Sequence, residues 1–536
     1  MRKFISSLLA ATIMASSMFF SGGQAMAEAP YCQLLDPSPD SPGAAKLKEL
    51  LKKTSNPDEI VAELLDPVAP MKPEDMEKIY GDVFKFILNK YIDADGTKLK
   101  HLSAYEHKYD GKLATRKDLD AAIADLVGSM DDRWTWVTSA SDKMEQILRY
   151  VSKQVSFGIN LRKQPDGSFR IEHVTYGSTA QFSGLREDDT VIAVNDKPLA
   201  GMTKAEAEKL LAGPIGAQVK IKSLQDGKEV EASYSLKAPV PNDAGAKLLK
   251  NNLAYLKLPS FMDHKAFGEL MNSMAGMAAT TPGGLQGIIL DLRYNGGGEV
   301  DMAKTLIRLL MSEGVVIQEL SRDGRERVET KTTVLPLGAY DELTMGAEQV
   351  ALLKSLQKLP LVILINGSSA SASEITTGAL MESRPNTVVL GERSFGKFTE
   401  MLVTDLPNCS RIAVTSGRYT TPSGKWLQDT GITPGIIVHQ PRGSQEDAQM
   451  AAAIEYLETL TGMNPANVVQ KAPDDKAYLG PVPVRPQPEA ADTDYAQLAR
   501  ENRTLLMQIG TGVGLFGILG IYLLLSRRRK DDEESN

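Results

Sequence analysis

The sequence predicts a mixed α/β chain: helices first, a β-rich unit next, an alternating strand–helix core after that, and an apolar helix near the C-terminus. Three observations predict it. Five runs (46–51, 58–65, 76–91, 117–130 and 142–153) repeat apolar residues every three to four positions, the period of an amphipathic helix. Two short apolar runs, 361–365 and 388–390, flank a segment of helical spacing, the pattern of buried strands joined by a helix. Residues 505–525 are 21 consecutive positions without a charge.

At 536 residues the chain is too long for a single core, and about two to four domains are expected. Apolar residues make up 42% and charged residues 24%, an ordinary globular mixture. The net charge of −8 argues against nucleic acid as the main partner.

Residues 1–27 read as a secretory leader. Arg2 and Lys3 precede an apolar stretch over 4–20, and Ala25-Met26-Ala27 offers a small-x-small cleavage site. A Pro/Ser-rich linker and the five helical runs then make up an N-terminal region, 28–152. The two cysteines, Cys32 and Cys409, can pair in an oxidising compartment and would then tie this region to the core, although spacing alone does not show proximity. Trp134 and Trp136 read as packing residues at the end of the last helix but one.

Residues 153–238 carry short alternating strands. Gln164-Pro165-Asp166-Gly167 is a hairpin turn signal. Phe157-Gly158-Ile159-Asn160 is a loop running into a strand, and the phrase from Ser178 to Leu185, followed by Asp189 to Asn195, gives helix and strand. This unit resembles a PDZ domain, with Asp188 where a glycine is usual. The resemblance implies that the backbone at Phe157, Gly158 and Ile159 binds the C-terminus of a peptide, which adds a strand to the sheet edge.

Residues 239–445 hold the alternating core. After the strand 361–365 comes a polar turn, Asn366-Gly367-Ser368-Ser369, and then a helix opening with Ala370-Ser371-Ala372-Ser373-Glu374. A serine there lies among unpaired N–H groups at the positive end of a helix dipole, where an oxyanion would be stabilised. About one strand–helix–strand unit later, a glycine-bounded turn presents Lys397. A lysine serves as a base only when neutral, which at pH 7 costs roughly 4–5 kcal/mol in water and less when burial lowers its pKa.

Ser-Ala-Ser-Ala-Ser-Glu-Ile, followed by Gly391-Glu392-Arg393-Ser394-Phe395-Gly396-Lys397, resembles the C-terminal processing (tail-specific) serine peptidases with a PDZ domain. The resemblance implies a crotonase/ClpP-like α/β catalytic core, with Ser371 as nucleophile and Lys397 as base. It also implies an oxyanion hole from the backbone N–H of Gly297 or Gly298, in the phrase Asp291-Leu292-Arg293-Tyr294-Asn295-Gly296-Gly297-Gly298, together with that of Ala372. Four residues past the lysine the family often has an orienting glutamine. Here that place is Met401, with Thr399 expected on the same strand face and Glu400 on the other. No cofactor or metal is expected: CxxC, HExxH and GxxxxGK[ST] are all absent.

Residues 446–504 read as one helix and a Pro-rich linker, 505–525 as a membrane helix about 32 Å long, and 526–536 as a cytoplasmic tail behind Arg527, Arg528, Arg529 and Lys530. The expectation is therefore a single-pass serine endopeptidase of the bacterial cell membrane, its catalytic part on the periplasmic side. Its partners would be proteins with exposed C-terminal tails and the lipid bilayer, with no nucleic acid and room for a homo-oligomer or an activating partner. The alternative is a tethered PDZ-containing binding protein with a weak or inactive site.

Overall fold

The computed structural model describes residues 30–36, 41–92, 98–151, 154–323, 326–441 and 446–462. Its centre is a six-stranded sheet in the order Gly245–Leu248, Leu253–Lys257, Gly287–Asp291, Leu361–Ile365, Thr387–Gly391 and Ile436–Ile437. Every neighbouring pair is parallel except the first. Gly287–Asp291 and Leu361–Ile365 are buried at every position, which is why they read as unbroken apolar runs: helices cover both faces. One face packs against Phe267, Leu306, Ile375 and Leu380 from three helices. The other packs against Met450, Ala453 and Leu457 of the helix Ala448–Leu460.

A second sheet, built around Arg411–Thr420, pairs that strand with Thr399–Asp405, Gly314–Asp323 and Trp136–Thr138. The helices Pro73–Lys90 and Arg116–Gly128 bury Ile79, Val83, Leu119 and Ile123 in one cluster with Leu406, Ile412 and Val414 of this sheet. The N-terminal region is thus part of the same body as this second sheet, contributing both a strand and a helical layer. The five expected helices form as Ala44–Lys53, Pro57–Leu65, Pro73–Lys90, Arg116–Gly128 and Ala140–Val151. The β-rich unit has strands Ile159–Lys163, Phe169–Val174, Thr190–Val194, Gln218–Gln225 and Lys228–Ser235, with Ile159–Lys163 at the sheet edge and the helix Lys204–Lys209 packed along it. Cys32 and Cys409 are joined by a disulfide, with Cα atoms 5.4 Å apart.

The single-pass architecture and the membrane localisation drawn from it need correction. Among the described residues no helix is long and apolar enough to cross a membrane. The 18-residue helix Pro73–Lys90 has the length, but Glu74, Asp75, Glu77, Lys78, Asp82 and Lys85 along it make it a surface helix with one buried stripe. The segment 505–525 on which the expectation rested lies outside the described residues, as do the expected leader 1–27 and the tail 526–536.

Candidate active site

The strand Leu361–Ile365 delivers the chain to the turn that carries Ser371. That turn is fixed by its own polar side chains. Asn366 Oδ1 accepts from the Ser368 N–H (3.2 Å) and from the Tyr294 N–H (2.9 Å). Ser369 Oγ donates to the Leu292 carbonyl at 2.8 Å and Ser373 Oγ to the Asn295 carbonyl at 2.8 Å. The serines flanking Ser371 therefore tie its turn to the glycine loop after Gly287–Asp291. Ser371 itself caps the helix Ala372–Ser383 with φ 56° and ψ −116°, a backbone conformation that costs a non-glycine residue on the order of 1–3 kcal/mol. Its neighbours hold it there.

Glu374 is the main one. Buried at 1% exposure, its Oε2 accepts from the Ser371 N–H at 2.9 Å and from the Lys397 N–H at 2.8 Å. Its Oε1 accepts from Ser394 Oγ at 2.5 Å and from the Gly396 N–H at 2.7 Å. One carboxylate thus clamps the serine's backbone to the lysine's. Burial pushes the Glu374 carboxyl up to about 7, against the four donors that favour the charged form. The spacing Ser371-x-x-Glu374 is that of a capping box, a signal present in the sequence that the reading above did not use.

Burial likewise pushes the Lys397 amine down to about 8; Glu374 opposes that shift and Arg133 adds to it. Lys397 Nζ stands 5.0 Å from the centre of the Trp134 ring and has no hydrogen-bond or carboxylate partner among the described residues. The Tyr419 hydroxyl donates to the Lys397 carbonyl, and the Ser371 side chain is a further hydrogen-bond partner of that hydroxyl. Trp134, which the sequence presented as packing, also meets Phe395 edge-on at 6.0 Å and carries the Arg133 guanidinium 4.5 Å above its ring. Arg133 pairs in turn with Glu172 of the β-rich unit and with Asp429 at 3.1 Å.

The glycine loop lies against Ser371. Gly297 has φ +99°, and a Cβ there would stand 2.7 Å from both the Ala370 carbonyl oxygen and the Ser371 Cβ, so only glycine fits. The Gly297 N–H is engaged, donating to Asn295 Oδ1 at 2.9 Å. The N–H groups of Gly298 and Ala372 have no partner among the described residues. In the β-rich unit, Phe157 and Ile159 turn their side chains into the core, the Phe157 N–H donates to the Leu211 carbonyl (2.7 Å), and the Gly158 N–H donates to Ser156 Oγ (3.2 Å).

The row of residues 397, 399 and 401 on one strand face does not form. The strand begins at Thr399, after Lys397, and its register with Arg411–Thr420 shifts between Glu400 and Met401. The glutamine beside the lysine turn comes from elsewhere: Gln428 Oε1 accepts from the Phe398 N–H at 2.8 Å. Glu400 faces Glu319, Asp301 and Lys304, away from the lysine.

The β-rich unit touches both turns. Ser368 Oγ donates to the half-buried Glu187 at 2.6 Å, and Tyr176 meets Tyr294 edge-on at 5.4 Å.

A family model described as "Peptidase family S41" matches residues 252–438, and one described as "PDZ domain" matches 146–223. The carboxy-terminal-processing protease of Bartonella bacilliformis is 30% identical over 365 residues, covering 68% of this chain and 75% of its own. The carboxyl-terminal-processing protease of Synechocystis sp. is 26% identical over 396 residues, covering 72% and 87%. Among solved structures, the photosystem II D1 C-terminal processing protease superposes with a TM-score of 0.53 at 20% identity over 71% of this chain and 97% of its own, which establishes a shared fold.

Proposed function

The chain belongs to peptidase family S41, as a serine-type carboxyl-terminal-processing peptidase with a PDZ domain, and we propose that Ser371 is its nucleophile and Lys397 its base. The observation that carries this assignment is the Glu374 clamp. Two N–H donors on one oxygen keep the serine and lysine backbones no farther apart than the sum of 2.9 and 2.8 Å.

In the proposed reaction the neutral Lys397 amine takes the proton of Ser371 Oγ as that oxygen attacks a peptide carbonyl carbon. A rotation of the lysine side chain off the Trp134 face brings the amine to the hydroxyl. The new oxyanion is met by the N–H groups of Gly298 and Ala372, Gly297 serving as the spacer that lets the loop approach. The lysine ammonium then protonates the leaving amine. Water, activated by the same amine, hydrolyses the acyl-Ser371 ester. At pH 7 a pKa of about 8 reduces the cost of the neutral lysine to about 1.4 kcal/mol.

We assign 153–238 to docking of a substrate's C-terminal tail, through the backbone at Phe157, Gly158 and Ile159 and the open edge Ile159–Lys163. The body holding Ser371, 239–445, performs the hydrolysis. Replacing Ser371 with Ala tests the assignment: cleavage of a tailed protein is expected to fall by about 10³-fold or more while tail binding persists. Unchanged cleavage by the purified variant overturns it.

A further inference from the structure

A cavity of about 300 Å³ lies beside the lysine turn, where the N-terminal region, the docking unit and the catalytic hairpin meet. Trp134, the ring under Lys397 Nζ, forms part of its wall. So does Thr399, which is 9% exposed and whose Oγ1 is buried without a hydrogen-bond partner. A cavity of this size with charged side chains on its wall has room for a polar occupant.

The charge on the wall indicates which occupant. Three carboxylates face the cavity, and each is engaged. Asp132 accepts from the hydroxyls of Thr135 and Thr415, both at 2.6 Å; Asp429 pairs with Arg133 at 3.1 Å; and Asp131 faces Lys98 at 3.9 Å. Arg162 and Arg418 also line it, and neither has a carboxylate partner among the described residues. Arg418 lies 5.3 Å above the Trp426 ring, and Arg162 stands close enough to Arg133 for the two to repel. Arg162 and Arg418 are the cations on this wall without a carboxylate partner among the described residues, so the ligand that fits them is an anion.

Position identifies the anion. Arg162 is on Ile159–Lys163, the open edge to which a tail would add as a strand. A tail whose carboxylate sits at Gly158 reaches Arg162 about four residues, or roughly 13 Å, upstream of its end. Beyond Arg162 lie the cavity and then the lysine. We infer that this cavity is a subsite for an acidic side chain of the substrate, in the stretch between the docked C-terminus and the scissile bond, held by Arg162 and Arg418. This rests on the assignment of Ser371 and of the docking edge above.

The test uses the full-length protein and a peptide series alike except for Asp, Asn or Lys at one position about five to seven residues from the C-terminus. Wild type is expected to favour Asp over Lys in kcat/KM by on the order of tenfold, with Asn between. Arg162→Ala and Arg418→Ala are each expected to shrink that ratio severalfold, and Arg418→Glu to reverse it. Binding of the same peptides to the Ser371→Ala protein, read by fluorescence anisotropy at low and high salt, should show the same preference fading as salt rises; this readout does not require turnover by an arginine variant. A wild type indifferent to the charge, or a ratio unchanged in the arginine variants, overturns the subsite while leaving the Ser371 assignment intact, provided Ser371→Ala abolishes cleavage. Equal cleavage by wild type and Ser371→Ala overturns the assignment beneath it.

Discussion

The turn 295–298 and the turn 157–159 are two glycine loops of the same general kind, each bringing backbone N–H groups to the end of a strand, yet they stand in opposite states. Beside Ser371, the N–H groups of Gly298 and Ala372 are unclaimed, and Gly297 is pinned by Asn295 so that they stay so. In the docking unit, Phe157 and Gly158 have already spent their N–H groups on Leu211 and Ser156. On the proposed assignment the first loop receives an oxyanion without rearrangement, which is where electrostatic preorganisation is effective. The second has to exchange an internal hydrogen bond for each one it makes to a carboxylate. If both assignments hold, chemistry is built in and docking is conditional.

The most severe way to break this contrast is to fill the space at Gly297. Gly297→Val should lower kcat by about 10³-fold or more in a protein that still melts cooperatively, because the new side chain would displace Ser371. A kcat within tenfold of wild type would show that the loop is not set by that contact. Next is the clamp. Glu374→Gln keeps the shape but replaces one acceptor with a donor facing N–H groups, and about a 10- to 100-fold loss of kcat is expected. Glu374 raises the lysine's pKa, so the inflection of the pH–rate profile should also move to lower pH in this variant, a shift that a purely structural defect would not produce. Third is the pH profile of the wild type. On the proposed assignment Lys397 works in its neutral form, and burial pushes its amine down to about 8, so kcat/KM should rise roughly tenfold from pH 7 to pH 9 and level off above. A profile flat across that range would remove Lys397 as the base. The mildest test sharpens the other half: Ser156→Ala releases the Gly158 N–H and should tighten tail binding by about threefold in a titration, with kcat unchanged. Weaker binding would show that Ser156 orients the loop rather than occupying it.

The parts of this arrangement that could be read in the sequence are those encoded locally. The all-apolar Leu361–Ile365 had to be a covered strand, and the polar run after it had to be a turn into a helix, so the helix start at Ser371 is legible from periodicity and turn chemistry. The helices from Ala44–Lys53 to Ala140–Val151 follow from their 3.6-residue repeat. What escaped depends on contacts between distant segments. Trp134 looks like any aromatic at a helix end until a strand pairing of Trp136–Thr138 with Arg411–Thr420 carries it to Lys397. Gln428 and Tyr419 reach the lysine turn only through the hairpin's register. The expected row of Lys397, Thr399 and Met401 assumed an unbroken alternation, and the register shift at Glu400 removed that premise. The hairpin Gly314–Asp323 with Glu326–Val334 carries polar residues on much of its length, so no apolar run announced it.

The Cys32–Cys409 bond spans 377 positions and encircles both the docking unit and Ser371. A backbone cut anywhere inside that ring, including one made by a second copy of the same peptidase, would leave the two fragments covalently attached. Such a nicked molecule would migrate at its full mass until a thiol opened the ring, whereas in the uncut chain the closure contributes, on a chain-entropy account, about 6 kcal/mol of stability.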